Sequence, residues 1–266
     1  MTMKAETKET LRAALAAARS DDPGRHAALL TQLQSESILD QLDSEAEYRM
    51  ASRFRLHVAQ VAEALARNAA PSAQRTFIAL TDNPTFLAHD ERVIALIRVS
   101  GHVRPAPPEL VAFWDRYSQP DDGFAPTVIT ALAANGSEAA LALLERKMED
   151  PGHEDDEKIS WMRTDMLSHR NDVPLLRACE RMLAGGLPER LRPFLVDALF
   201  DFRPGEWFRP VDRYSAPLLE SASREALQVL SKIAAQVLRT VTLTETQRAA
   251  VERRKAEAES LMRRDP

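Results

Sequence analysis

The chain is poor in several residue types, and each shortage excludes something. It contains one cysteine, eight glycines and 6% aromatic residues in 266 positions. The single thiol, Cys179, rules out an intrachain disulfide and a cysteine-based zinc cluster, and it suits a reducing compartment. The few glycines form neither a phosphate-cradling loop nor a GxSxG elbow, so the common nucleotide and hydrolase signatures are missing. No run approaches 18 apolar residues, and Met1-Thr2-Met3-Lys4-Ala5-Glu6 has no apolar core. No membrane span or secretory leader is therefore expected, and the expected location is cytoplasmic. A net charge of −5 lacks the broad basic surface of a duplex nucleic-acid binder, so nucleic acid is not an expected partner. Arginine outnumbers lysine 29 to 6, a pattern attributed to base-composition bias.

What remains is helix-forming. Apolar residues make up 44% and charged residues 28% of the chain, with Ala, Leu, Glu and Arg dominant, which points to a folded all-α protein. The length exceeds a usual single-core domain of roughly 100 to 150 residues without a linker to divide it. Punctuation at Gln119-Pro120-Asp121-Asp122-Gly123, Asp150-Pro151-Gly152 and Ala184-Gly185-Gly186-Leu187-Pro188 recurs about every 31 to 35 residues. Each interval holds two amphipathic patterns, so the expected architecture is an α-solenoid of stacked antiparallel hairpins. Residues 1–84 are expected to form irregular N-terminal helices, 85–242 the repeats and 243–266 a polar capping helix.

Within the repeats, residues 89–101 pair with 108–118, 123–134 with 138–148, and 156–169 with 172–184. A fourth unit begins at 187–202 and resumes as a long helix over 218–240. Asp21-Asp22-Pro23-Gly24 reads as the turn between the first two helical patterns, Asn83-Pro84 as a cap followed by a first-turn proline, and Thr244-x-x-Gln247 as a cap. Ser44-x-x-Glu47 reads as a capping box opening a helix that carries Phe54, Val58, Val61 and Leu65 on one face. Asp115-Arg116, Glu145-Arg146 and Glu180-Arg181 recur 30 and then 35 residues apart, which predicts a ladder of acid on one hairpin and base on the next.

Asp172-Val173-Pro174-Leu175-Leu176-Arg177-Ala178 resembles the second-helix opening of the HEAT-repeat family, and Asp90-Glu91-Arg92-Val93-Ile94-Ala95-Leu96 is a looser match. The 137–148 helix lacks the arginine. The resemblance covers roughly residues 85–240, implies a HEAT-like α-solenoid acting as a scaffold or adaptor, and carries over no functional residue.

No catalytic, cofactor-binding or metal-binding residue is identified. His26, His57, His89, His102, His153 and His169 lack HExxH or other zinc spacing. The acidic run Glu149–Glu157 lacks the EF-hand pattern and reads as a solvated loop that favours the start of the next helix. Ser100-Gly101-His102 reads as a helix stop, with Gly101 relieving backbone strain. Phe113-Trp114-Asp115-Arg116-Tyr117 is similar in makeup to the aromatic, carboxylate and arginine set of HEAT-like DNA glycosylases, although packing between hairpins is the favoured reading. The favoured surface site is Arg203, Glu206, Trp207, Phe208 and Arg209, stiffened by Pro204 and Pro210 and rich in interface hot-spot residues. Arg146, Arg177 and Arg181, on the polar faces of second helices, extend it. The expected role is non-enzymatic binding of another protein. The alternatives are a helical-repeat enzyme, such as a DNA-base glycosylase or a cofactor-handling lyase, and a homo-oligomer.

Overall fold

A computed structural model describes residues 5–43, 47–49, 53–55, 57–119, 123–164, 172–200 and 222–264. The regular secondary structure of the described residues is helical apart from one three-residue antiparallel pairing. The chain divides into two compact units, Met1–Ser118 and Gln119–Pro266. Residue 84, where the sequence marks the start of regular hairpins, lies inside the first.

The first unit contains α1 (Ala5–Ala18), α2 (Pro23–Leu33), α3 (Glu36–Asp43), β1 (Glu47–Arg49), β2 (Arg53–Arg55), α4 (His57–Arg67), α5 (Pro71–Leu80), α6 (Asp90–Ser100) and α7 (Pro108–Arg116). Helix α4 packs against α1 and against α6, while α2 packs against α5. The turn before α2 behaves as its residues dictate: Asp22 accepts from Gly24 N at 2.8 Å, and Pro23 occupies the first turn, where its missing N–H costs nothing. Asn83 does the same for the short turn Phe86–Ala88, accepting from the amides of Thr85 and Phe86 at 3.0 and 3.1 Å.

One expectation is overturned. The helix read from Ser44 onward does not include Phe54, which pairs with Tyr48 in the β1–β2 hairpin; the helix begins at His57. Ser44 itself lies outside the described residues. Val58, Val61 and Leu65 do form the buried stripe of α4, so the offset of four that joined Phe54 to them was a coincidence of spacing across a strand–helix junction.

The second unit contains α8 (Ala125–Asn135), α9 (Glu138–Glu149), α10 (Asp155–Thr164), α11 (Val173–Arg181), α12 (Arg192–Phe200), α13 (Arg224–Thr240) and α14 (Glu245–Arg264). Helix α8 packs on α9 and on α10, α10 on α12, and α12 on α14. Separately, α9 packs on α11, α11 on α13, and α13 on α14. Leu227, Leu230, Ala234 and Val237 recur at helical spacing along α13 and are all buried, each large side chain stabilising the packed state by about 1.5 to 3 kcal/mol.

Turn chemistry sets the register of this unit. Gly136 ends α8 in the left-handed conformation, φ 66°, which a residue with a Cβ adopts only at a cost. A Cβ there would stand 3.3 Å from a carboxylate oxygen of Asp172. That same Asp172 is the N-cap of α11 and accepts from Leu175 N at 3.4 Å. At the far end, Thr244 Oγ1 accepts from Gln247 N at 3.2 Å and Gln247 Oε1 accepts from Thr244 N at 3.0 Å, the reciprocal cap expected from the sequence. Gln247 Nε2 also donates to Asp197 Oδ1 at 2.8 Å, so the cap of α14 ties it to α12.

Cys179 is completely buried on α11, and burial pushes its thiol up to about 12. A thiol reagent is therefore expected to label it only in denaturant. Rapid labelling of the native protein, measured by mass spectrometry, would contradict its place in the core.

Candidate functional site

The candidate surface is built on α9, α11 and α13, whose polar residues meet in acid–base pairs from one helix to the next. Arg181 on α11 donates from Nε to both carboxylate oxygens of Glu145 on α9, at 3.1 and 3.2 Å. Glu180 on α11 meets Lys232 Nζ on α13 at 2.6 Å, and Arg177 Nη2 donates to Glu225 Oε1 at 2.8 Å. Of the predicted ladder, the step from Glu145 to Arg181 is present, whereas Glu180 pairs with Lys232, which lies outside the repeated motif. Its cationic members are more than half exposed, which limits each pair to about 0 to 1 kcal/mol and makes register their main effect. Arg116 in the first unit pairs instead with Asp82 at 3.0 Å.

Of the residues expected to bind a partner, Arg146, Arg177 and Arg181 are exposed, on α9 and α11. Arg203, Glu206, Trp207, Phe208 and Arg209 lie outside the described residues.

The other chemical candidates resolve into structural roles. Trp114 is fully buried, and its Nε1–H donates to Ser100 Oγ at 2.7 Å. Ser100 in turn donates to Ile97 O at 2.6 Å, so its hydroxyl is held by two partners and is not poised as a nucleophile toward His102. Phe113 is buried and meets Tyr117 edge-on, with centroids 5.0 Å apart. Gly101 has φ −58°, a right-handed conformation open to any residue, so it relieves no strain at this helix end.

The acidic run divides its oxygens among protein donors. Asp150 Oδ1 accepts from Gly152 N at 2.8 Å, and the Asp150 carbonyl accepts from Lys158 Nζ. Asp155 pairs with Arg190, whose hydrogen bonds hold that carboxyl below the usual carboxylate range. Asp155, Asp156 and Glu157 occupy the first turn of α10, as the dipole favours. The sequence did not signal that His153 and Lys158 are buried here; burial draws the Lys158 ammonium below its ordinary value. Among the described residues no group of three or more His, Cys, Asp or Glu is placed to hold a metal ion.

Sequence reasoning also missed two features of the first unit. Arg92, only 2% exposed, donates from Nε to Asp43 Oδ2 at 2.6 Å, from Nη2 to Asp40 Oδ1 at 2.9 Å and from Nη1 to Thr85 O at 3.3 Å. The second is an open cleft of about 630 Å³ beside the ends of α1 and α4, walled by Arg19, Asp21, Glu63 and Arg67. Neither has a local motif, because each joins residues some 40 to 50 positions apart.

No family model matches the chain, and no curated protein or solved structure matches it. No helix among the described residues is long and apolar enough to cross a membrane.

Proposed function

We propose that the chain is a HEAT-like α-solenoid serving as a non-enzymatic scaffold or adaptor in the cytoplasm, and that it binds another protein along the α9–α11–α13 face. The observation that carries this reading is the packing order in the second unit. Alternate helices pack in succession, α8 to α10 to α12 and α9 to α11 to α13, which is how hairpins stacked in one direction bury their apolar faces on their neighbours. Such a stack offers a continuous polar face rather than a closed pocket. Arg146, Arg177 and Arg181 lie exposed along it, and arginine is the charged residue best suited to bidentate contacts with a partner's carboxylates. The segment with Arg203, Glu206, Trp207, Phe208 and Arg209 is proposed as a second anchor on the strength of its residue types.

Affinity purification from the native host, followed by mass spectrometry, tests the assignment. The triple change Arg146→Ala, Arg177→Ala and Arg181→Ala is expected to remove at least one partner while leaving the melting temperature within a few degrees, because the pairs it breaks with Glu225 and Glu145 are exposed on the arginine side and contribute about 0 to 1 kcal/mol each. Trp207→Ala with Phe208→Ala is expected to weaken the same capture. Partner recovery unchanged by both variants would end the proposal.

A further inference from the structure

The cleft in the first unit has a composition that selects its ligand. It is formed where α1 and α4 end: Arg19 and Asp21 lie just beyond Ala18, and Glu63 and Arg67 lie in the final turns of α4, over small residues Ala64 and Ala69. Glu63 and Arg67 pair with one another at 2.9 Å. The side chains of Arg19 and Asp21, both exposed, have no hydrogen-bond or ion-pair partner among the described residues.

Two cations and two anions cancel, so the cleft presents separated charges with no net sign. The carboxyl end of α4 adds partial negative charge at this edge, whereas that of α1 is capped by Asn68 Nδ2, which donates to Ala18 O at 2.9 Å and to Ser20 O at 2.8 Å. A multiply charged anion such as a nucleotide would gain two guanidinium contacts but would also face Asp21, Glu63 and the uncapped end of α4. A ligand carrying one positive and one negative group meets less of this repulsion, because its cation is drawn to the same carboxylates that repel its anion. Its carboxylate finds the forked donors of Arg19 and Arg67, and its ammonium finds Asp21 and Glu63, all as charge-assisted hydrogen bonds. The cleft is open, so a ligand in it stays partly in water, and the small residues Ala64 and Ala69 leave room for a short side chain.

We propose that this cleft is a binding site for a small zwitterion of the unblocked dipeptide class, with Arg19 and Asp21 as its primary contacts. The site is independent of the partner-binding face assigned to the second unit.

Titration of the full chain with alanyl-alanine, followed by calorimetry and by chemical-shift changes at residues 19–21 and 60–69, is the test. Saturable binding is expected, weakened about tenfold or more when the peptide is N-acetylated and again when it is C-amidated, since each block removes one charge-assisted contact. Arg19→Ala is expected to lose the preference for the free carboxylate, and Asp21→Ala the preference for the free amine. The blocked peptides probe the intact protein, so their result stands however the variants fold. Absence of saturable binding, equal binding of blocked and unblocked peptides, or a preference for inorganic phosphate would each overturn the assignment.

Discussion

Replacing Trp114 by alanine is expected to destabilise the first unit by about 4 kcal/mol. The indole is the largest fully buried side chain among the described residues, and its removal leaves a cavity that the surroundings refill only in part. Truncation also strips Ser100 Oγ of the donor that meets it at 2.7 Å, in a site where water is excluded. Trp114→Phe separates the two losses. It keeps most of the apolar volume and is expected to cost about 1.5 kcal/mol, mainly the hydrogen bond. Urea denaturation reports both values, provided the slope of the transition is unchanged. An alanine variant losing less than about 1 kcal/mol would show that the ring is not a core element, and would reopen a surface stacking role of the glycosylase kind.

Asp43→Ala is expected to cost about 3 kcal/mol, because it leaves the buried Arg92 guanidinium with only the exposed Asp40 and one carbonyl to balance it. The same carboxyl gives the fold a pH dependence of defined sign. Burial raises Asp43 above its ordinary 3.8, outweighing the opposing pull of Arg92, while nearby Asp40 raises it further and His89 lowers it. The folded state therefore holds this proton more tightly than the unfolded chain does. The stability gained from that proton is fully present below 3.8 and declines as pH rises through the raised value. Asp43→Asn removes the titration and should flatten that part of the stability curve, measured by denaturant melts across the carboxylate range. Identical curves for the Asp43→Asn variant and the wild type would refute the assignment.

How much of this was legible in the sequence depends on how local the determinant is. The caps at Asn83 and Thr244–Gln247 and the helix opening at Asp172 involve partners two or three residues apart, and each forms as its motif dictates, while Asp22, read only as part of a turn, also caps α2. The apolar stripes of α4, α11 and α13 were equally readable, because burial of one helical face leaves a periodic trace. The pairing of Arg181 with Glu145 was readable only because the acid–base motif repeats. By contrast, the β1–β2 hairpin was hidden: its register joins Glu47 to Arg55 and Tyr48 to Phe54, with no Gly-rich turn signal between them. The Arg92 cluster and the cleft of mixed charge were invisible for a related reason. Arg92 and Arg19 look like ordinary surface arginines until the fold supplies the burial of one and the concavity around the other. The segment containing Trp207 remains a reading from residue types alone.

The contact of Asp172 with Gly136 bears on how this protein tolerates insertions and deletions. The acid–base motifs are 30 residues apart at one step and 35 at the next, yet Arg181 still reaches Glu145 at 3.1 Å. At this step Arg181 meets Glu145, and the cap of α11 lies beside the end of α8. A deletion at Gly136 or Asp172 shortens the chain by no more than one residue, yet it removes the stop that tells one hairpin where the next begins.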